Sequence, residues 1–323
     1  MAANLIFKIF ISYVLLSLGG CALIGSGGYS RYDERSVSVL TVSLFNQRTP
    51  SKLVKASWKG DWLFRRERLE LVDRGLLEIR PDLLVFQQLM SRRGSPSESD
   101  QSILSYGSLD GYQWDLSLSR FYEDTQEEQF FALAMGLPII ASEAEPSTTG
   151  KLGIDGSYSI NNVKLQKQDI WVVNVEMPTS AKSVDAWYKV LQKKLSEFQN
   201  SHNICSKRLL VAGYLPGRVS WPFYQDFLKY FELKDTSTGF CEVANDCATG
   251  TPMNELFLGT SEGKSGTQVD RIFAHQQAVV YSSKVALNGR GDGSLRSQNY
   301  GLEYLWPSRR FAWNSIVRLP RCN

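Results

Sequence analysis

Two hydrophobic rhythms organise the chain. Between Trp62 and Ile79, apolar Leu69, Val72, Leu76 and Ile79 recur at helical spacing, and Glu70 stands four residues before Arg74, so this stretch predicts an amphipathic helix that stops at Pro81. Residues 181–199 predict a second helix, with Val184, Trp187, Tyr188, Leu191, Leu195 and Phe198 on one stripe. Strands are predicted where the rhythm is shorter. "SVSVLTVSLF" (36–45) alternates and is rich in β-branched residues, and "LLVF" (83–86) is a continuous apolar run. "LPIIAS", "DIWVVNVEM", "RLLVAGYL", "QVDRIFAH" and the terminal "FAWNSIVRL" follow as further strands. Polar, Gly/Ser-rich stretches at 91–101 and 287–300 read as loops, and the "RGD" at 290–292 reads as turn chemistry rather than an adhesion signal. No internal repeat is visible. The strand at 83–86 runs into Gln87 and Gln88 before Leu89, which raises the question of what two amides do at a strand end.

Composition changes this picture little. With 43% apolar and 21% charged residues, the 323-residue chain is an ordinary folded protein, long enough for one large core or two small domains. A formal net charge of +3 lacks the basic excess of a nucleic-acid binder, so nucleic acid is not an expected partner. Eight Trp and fourteen Tyr offer stacking surfaces for sugars or bases, but those at helical spacing, such as Trp187 and Tyr188, read as core. "WKGDWLFRRER" (58–68) reads as a solvated helix start before it reads as a contact surface.

The N-terminus changes more. "MAANLIFKIFISYVLLSLGGCAL" has one cation, Lys8, an apolar run from Ile9 to Leu18 too short for a comfortable membrane span, then small residues, which is the layout of a secretory signal. Leu18-Gly19-Gly20-Cys21 resembles a bacterial lipobox, in which Cys21 carries the lipid. The expected organisation is a signal peptide at 1–20, lipidated Cys21 with a Gly/Ser-rich tether to residue 36, and one domain at 37–323. An uncleaved N-terminal anchor is the alternative. Both put the remainder outside the cytoplasm on a membrane surface, and Ala22 after Cys21 points to the outer membrane, facing the periplasm. Cys205, Cys241, Cys247 and Cys322 then remain, an even number for an oxidising compartment. Cys241 and Cys247 in "CEVANDC" can close a short loop, leaving Cys205 and Cys322 over, although four cysteines allow three pairings. Zinc is not expected, because there is no CxxC and only His202 and His275 are present.

The order of segments carries a resemblance. Strand, helix, "RPDLLVFQQ", helix, "VVNVEM", helix, "LVAGYLPG", "VDRIF" and a terminal strand resembles the endonuclease/exonuclease/phosphatase superfamily, in its sphingomyelinase-like branch, over roughly residues 37–320. "EIRPDLLVFQQ" is similar to that family's "xxPDvvxlQE". The resemblance implies an α+β fold of the DNase I type: a four-layer α/β/β/α sandwich of two mixed sheets packed face to face with helices outside. It also implies a metal-dependent phosphoesterase, in which an Asn and the Glu of "QE" hold a divalent cation through hard oxygens. A "GDxN" turn would activate water, and two histidines would supply protons and charge around the phosphate.

Carried onto this sequence, nearly every one of those positions is replaced. Ser43 stands at the Asn position, unless a slip brings in Asn46, and Gln88 stands at the metal-binding Glu. Glu176 occupies one His position; Tyr214 and Pro216 fall in the "GDxN" turn; Ala312-Trp313-Asn314 aligns with the terminal "SDH". Only Asp270 matches, and the His it would orient is absent. His202, in a helix-to-strand loop, and His275, near a strand end, fit neither required position. The expectation is therefore a non-catalytic pseudoenzyme, without a cofactor, that binds an unknown protein or ligand in the cell envelope. The alternative is a divergent Mg²⁺-dependent phosphodiesterase or phosphatase rebuilt on Glu176 and Asp270, with Asp82 structural at its strand start and Tyr214 a weak nucleophile or acid.

Overall fold

The computed structural model describes residues 36–44, 65–92, 107–122, 127–135, 139–145, 156–165, 168–177, 181–203, 205–215, 221–241, 247–249, 270–288, 291–292, 304–305 and 311–322. The chain divides into units of residues 1–36 and 37–323, and the sandwich lies in the second. In chain order its elements are β1 (Ser36–Ser43), α1 (Arg65–Ile79), β2 (Leu83–Arg92), β3 (Gln113–Tyr122), β4 (Glu127–Met135), β5 (Ile139–Glu145), β6 (Ser157–Leu165) and β7 (Gln168–Glu176). Then come α2 (Ala181–His202), β8 (Leu209–Tyr214), α3 (Pro222–Tyr230), β9 (Leu233–Asp235), β10 (Asp270–His275), β11 (Val279–Ala286), the short β12 (Gly291–Asp292) and β13 (Tyr304–Leu305), and β14 (Ala312–Arg318).

The strands form two six-stranded sheets, ordered β11-β14-β1-β2-β4-β3 and β5-β6-β7-β8-β10-β9. Each is mixed: β1 and β2 are parallel, as are β7 and β8, while β2–β4, β6–β7 and β8–β10 are antiparallel. Alternation along each strand gives every sheet two buried faces. Between the sheets, Val39, Val85, Leu133 and Trp313 meet Val172, Leu210, Ala212 and Ile272. On the outer face of the first sheet, Leu69, Val72 and Leu76 of α1 cover Leu40, Leu84 and Phe86. The predicted stripe of α2 covers Trp171, Val173, Val211 and Phe273 on the second, with α3 beside it. Each such Leu, Val or Phe contributes roughly 1.5–3 kcal/mol when fully buried. This is the α+β, four-layer α/β/β/α sandwich of the DNase I type.

Local chemistry explains the element ends. Helix α1 closes with Arg80 in the left-handed region (φ 44), its N–H bonded to Leu76 O at 2.8 Å, and Pro81 cannot continue the helix. Asp82 then accepts the Ser38 N–H at 2.7 Å, tying the starts of β1 and β2 together, a structural role as its position suggested.

Several segments differ from the sequence reading. His202 lies in the last turn of α2 rather than in a loop. Gly291 and Asp292 of the "RGD" pair with Leu305 and Tyr304 as a strand rather than forming a turn. Cys205 and Cys322, taken as left over, are bonded to each other, and Cys241 bonds Cys247. Strands β3, β4, β6, β9, β11, β12 and β13 and helix α3 have no counterpart in the sequence reading. Residues 62–64, Cys21, Asn46 and Pro216 fall outside the described residues.

Candidate functional site

The layer between the sheets is apolar along most of its length and polar at one end. On β1 the inward positions run Val37, Val39, Thr41, Ser43; on β7 they run Ile170, Val172, Asn174, Glu176. Tyr214 ends the inward row of β8 and Asp270 begins that of β10, so parallel and antiparallel neighbours deliver polar residues to the same edge. Thr41, Ser43, Gln87, Gln88, Asn174, Glu176, Tyr214 and Asp270 are all buried there.

A β-bulge shapes the centre of this cluster. Pairing between β2 and β4 jumps from Phe86↔Ala132 to Leu89↔Phe130, so β2 carries one extra residue, and Gln88 takes a left-handed backbone (φ 60). The bulge points both glutamines between the sheets and returns Leu89 to the outer layer, where it packs under α1. Gln87 Nε2 donates to Asn174 Oδ1 at 2.7 Å and lies 3.1 Å from Thr41 Oγ1, while Asn174 Nδ2 donates to the Phe86 carbonyl at 2.8 Å. The two bonds of Asn174 cross from one sheet to the other, while the Thr41 contact stays within the first. Ser43 Oγ donates to Asp270 Oδ1 at 2.9 Å and stands 3.3 Å from Gln87 Oε1.

Gln88 Nε2 donates to Glu176 Oε1 at 2.9 Å, and Gln129 Nε2 donates to Glu176 Oε2 at 2.5 Å. All three side chains are at most 7% exposed. A buried carboxylate is costly unless hydrogen-bonded, and here an amide donor meets each oxygen. Sequence reasoning missed Gln129, because β4 is buried on both faces and shows no alternation; the Gln129-Phe131-Leu133 spacing was its only signal.

This donor set does not fit Mg²⁺, which demands anionic oxygens in near-octahedral array. Gln88 is neutral and turns its NH₂ toward Glu176, whose two oxygens are both engaged by amides. Glu176 and Asp270, the two carboxylates of this end, stand on non-adjacent strands. They flank Tyr214 in one cross-strand row, Glu176↔Tyr214↔Asp270, two strand spacings or roughly 10 Å apart at the backbone.

Trp313, Asn314 and the two histidines lie elsewhere in the fold. Trp313 is fully buried in the core between the sheets, and the next residue, Asn314, accepts a hydrogen bond from Ser38 Oγ at 3.3 Å. His275 is buried at the far end of β10 from Asp270, roughly 17 Å along the strand, with Nε2 3.0 Å from Glu232 Oε2 and Nδ1 accepting the Gln277 N–H. His202 Nδ1 lies 3.0 Å from Phe198 O on α2. Gly213 is different. Its φ of 147 and the close backbone of Val175, which a Cβ would strike, admit only glycine between β7 and β8.

A second buried polar group lies under α2 and α3. Arg271 Nη1 bonds Asp235 Oδ2 at 2.6 Å, and the Tyr224 hydroxyl donates to the same oxygen at 3.2 Å. Burial pushes the Tyr188 and Tyr224 phenols well above the usual tyrosine range, and the Asp235 carboxylate raises Tyr224 further. No three His, Cys, Asp or Glu side chains cluster as a metal site among the described residues.

No family sequence model and no curated protein matches the chain. Solved structures do match. A mannosyl-6-phosphatase from Bacteroides thetaiotaomicron superposes with a TM-score of 0.61 at 14% identity, covering 88% of this chain and 100% of its own. An endonuclease/exonuclease/phosphatase family protein from Leptotrichia buccalis gives 0.59 at 16%, covering 88% and 100%, and the catalytic domain of human Nocturnin, solved with bound sulfate, gives 0.57 at 14%, covering 88% and 95%. At these identities the likeness shows the fold. The two sheets and their covering helices are arranged as in these solved structures.

Proposed function

We propose that this chain is a catalytically degenerate relative of the endonuclease/exonuclease/phosphatase enzymes, exported, lipid-anchored at Cys21 and acting as a binding module in the cell envelope. The observation that carries the loss of catalysis is the Gln129–Glu176–Gln88 clasp, in which two neutral amides engage the carboxylate at the end of the sandwich where a metal would sit. Replacement of the "GDxN" turn and the placement of both histidines elsewhere support the same reading. Two disulfides support an oxidising compartment.

The test is hydrolysis by residues 22–323 of bis-p-nitrophenyl phosphate, a phosphomonoester, plasmid DNA and sphingomyelin, with Mg²⁺, Mn²⁺ or Ca²⁺, beside a Glu176→Ala/Asp270→Ala double variant. No turnover above that variant with any metal is the expected result. Turnover that the double variant abolishes would instead make the chain a divergent phosphoesterase.

A further inference from the structure

Helix α2 carries a second stripe beside its buried one. Gln192, Lys193, Ser196, Glu197 and Asn200 follow at helical spacing and, with Tyr230 at the end of α3, line a groove of about 400 Å³. That volume falls within the range of about 300–1,000 Å³ typical of small-molecule sites.

Tyr230 is 55% exposed, yet its ring is held at both ends. Phe231 packs edge-on against it with centroids 4.8 Å apart, and its hydroxyl lies 3.3 Å from Ser196 Oγ. An aromatic ring exposed on one side and contacted on another offers a flat apolar platform. The facing wall is rich in hydrogen-bonding groups without a surplus of charge. Lys189 and Asp185 pair at 3.1 Å, and Lys193 and Glu197 at 3.9 Å, so each cation along the groove has its anion on the same helix.

This chemistry selects a ligand. A polyphosphate or nucleic acid needs uncompensated cations, and an acyl chain or apolar peptide needs more than one aromatic wall. A sugar ring presents an apolar C–H face for stacking and a rim of hydroxyls that both donate and accept, which match amide, carboxylate and ammonium partners. We propose that the groove between α2 and α3 is a saccharide-binding subsite, with Tyr230 stacking on one pyranose of an oligosaccharide and Gln192, Asn200, Lys193 and Glu197 bonding its hydroxyls. The groove belongs to the outer helical layer and uses none of the residues at the polar end of the sandwich. The proposal gives a ligand class to the binding-module reading.

Residues 22–323 titrated calorimetrically with maltohexaose, cellohexaose and triacetylchitotriose test it. Binding of at least one saccharide is expected, weakened tenfold or more by Tyr230→Ala and by Gln192→Ala/Asn200→Ala, and retained within about threefold by Tyr230→Trp. Far-ultraviolet circular dichroism checks that these exposed-site variants fold. No binding of any of the three, or binding indifferent to Tyr230→Ala, overturns the proposal. The hydrolysis assay reads the other end of the molecule, so failure of the non-catalytic reading and failure of the saccharide subsite are separate results.

Discussion

Gln88 Nε2 and Glu176 Oε1 lie 2.9 Å apart across the two sheets, a buried amide donating to a buried carboxylate. The polarity of this contact fixes what a substitution would do. Gln88→Glu sets two buried carboxylates against each other, so one is held protonated well above its ordinary range. The variant should lose roughly 2–4 kcal/mol of stability at neutral pH. Because the folded-state value is raised, the deficit applies above it and shrinks as pH falls toward about 5. Thermal melts of both proteins at neutral and mildly acidic pH measure this; a deficit that does not narrow on acidification would contradict the contact.

Gln87 bonds Asn174 in the opposite sheet and Thr41 in its own. Gln87→Leu should cost about 2–4 kcal/mol, since it leaves Asn174 Oδ1 and Thr41 Oγ1 without this buried amide donor. Urea denaturation with an unchanged slope and a lower midpoint would report it.

The two disulfides should contribute unequally. Cys205–Cys322 spans a sequence separation of 117 and Cys241–Cys247 one of 6. Loop-closure entropy assigns about 5 kcal/mol to the first and about 2 kcal/mol to the second. Melting of Cys205→Ser/Cys322→Ser and Cys241→Ser/Cys247→Ser should show the larger fall for the first pair.

Gly213→Ala places a methyl group against the Val175 backbone at a φ that side chains rarely adopt. A loss of about 3 kcal/mol or more is expected, read as a lower yield of folded protein and a lower melting temperature.

Tyr188 and Tyr224 keep their protons in the folded chain far above the usual tyrosine range. The unfolded chain releases those protons near pH about 10, so the stability they contribute is full below that value and falls as pH rises through it. Phenolate absorbance should therefore rise in two stages, the later one coinciding with loss of circular dichroism. Tyr188→Phe should reduce the later stage.

The sequence made the sandwich legible through its most regular parts. The α2 stripe is one-sided and long, and "DIWVVNVEM" and "RLLVAGYL" are apolar runs buried on both faces, so period and composition agreed with the final element. Strand β6, "SYSINNVKL", carries Asn161 and Asn162 inside the fold, and this polarity hides it from a reading of apolar runs. Gln88 stood out in the sequence because the motif around it resembles one that ends in Glu. Its partner Gln129 did not, since nothing local marks which strand stands beside a bulge. The row Glu176↔Tyr214↔Asp270 is a property of strand order, which no linear reading of the chain supplies.

The Cys205–Cys322 bond joins the approach to β8, in one sheet, to the segment that follows β14, in the other, with Cα atoms 6.0 Å apart. It acts as a rivet through the thickness of the molecule. A tensile load that would peel one layer from the other is borne by covalent sulfur at that edge rather than by the packed side chains between them. Heat alone can loosen those side chains without letting the layers part there, so a reductant should be the condition under which this protein delaminates.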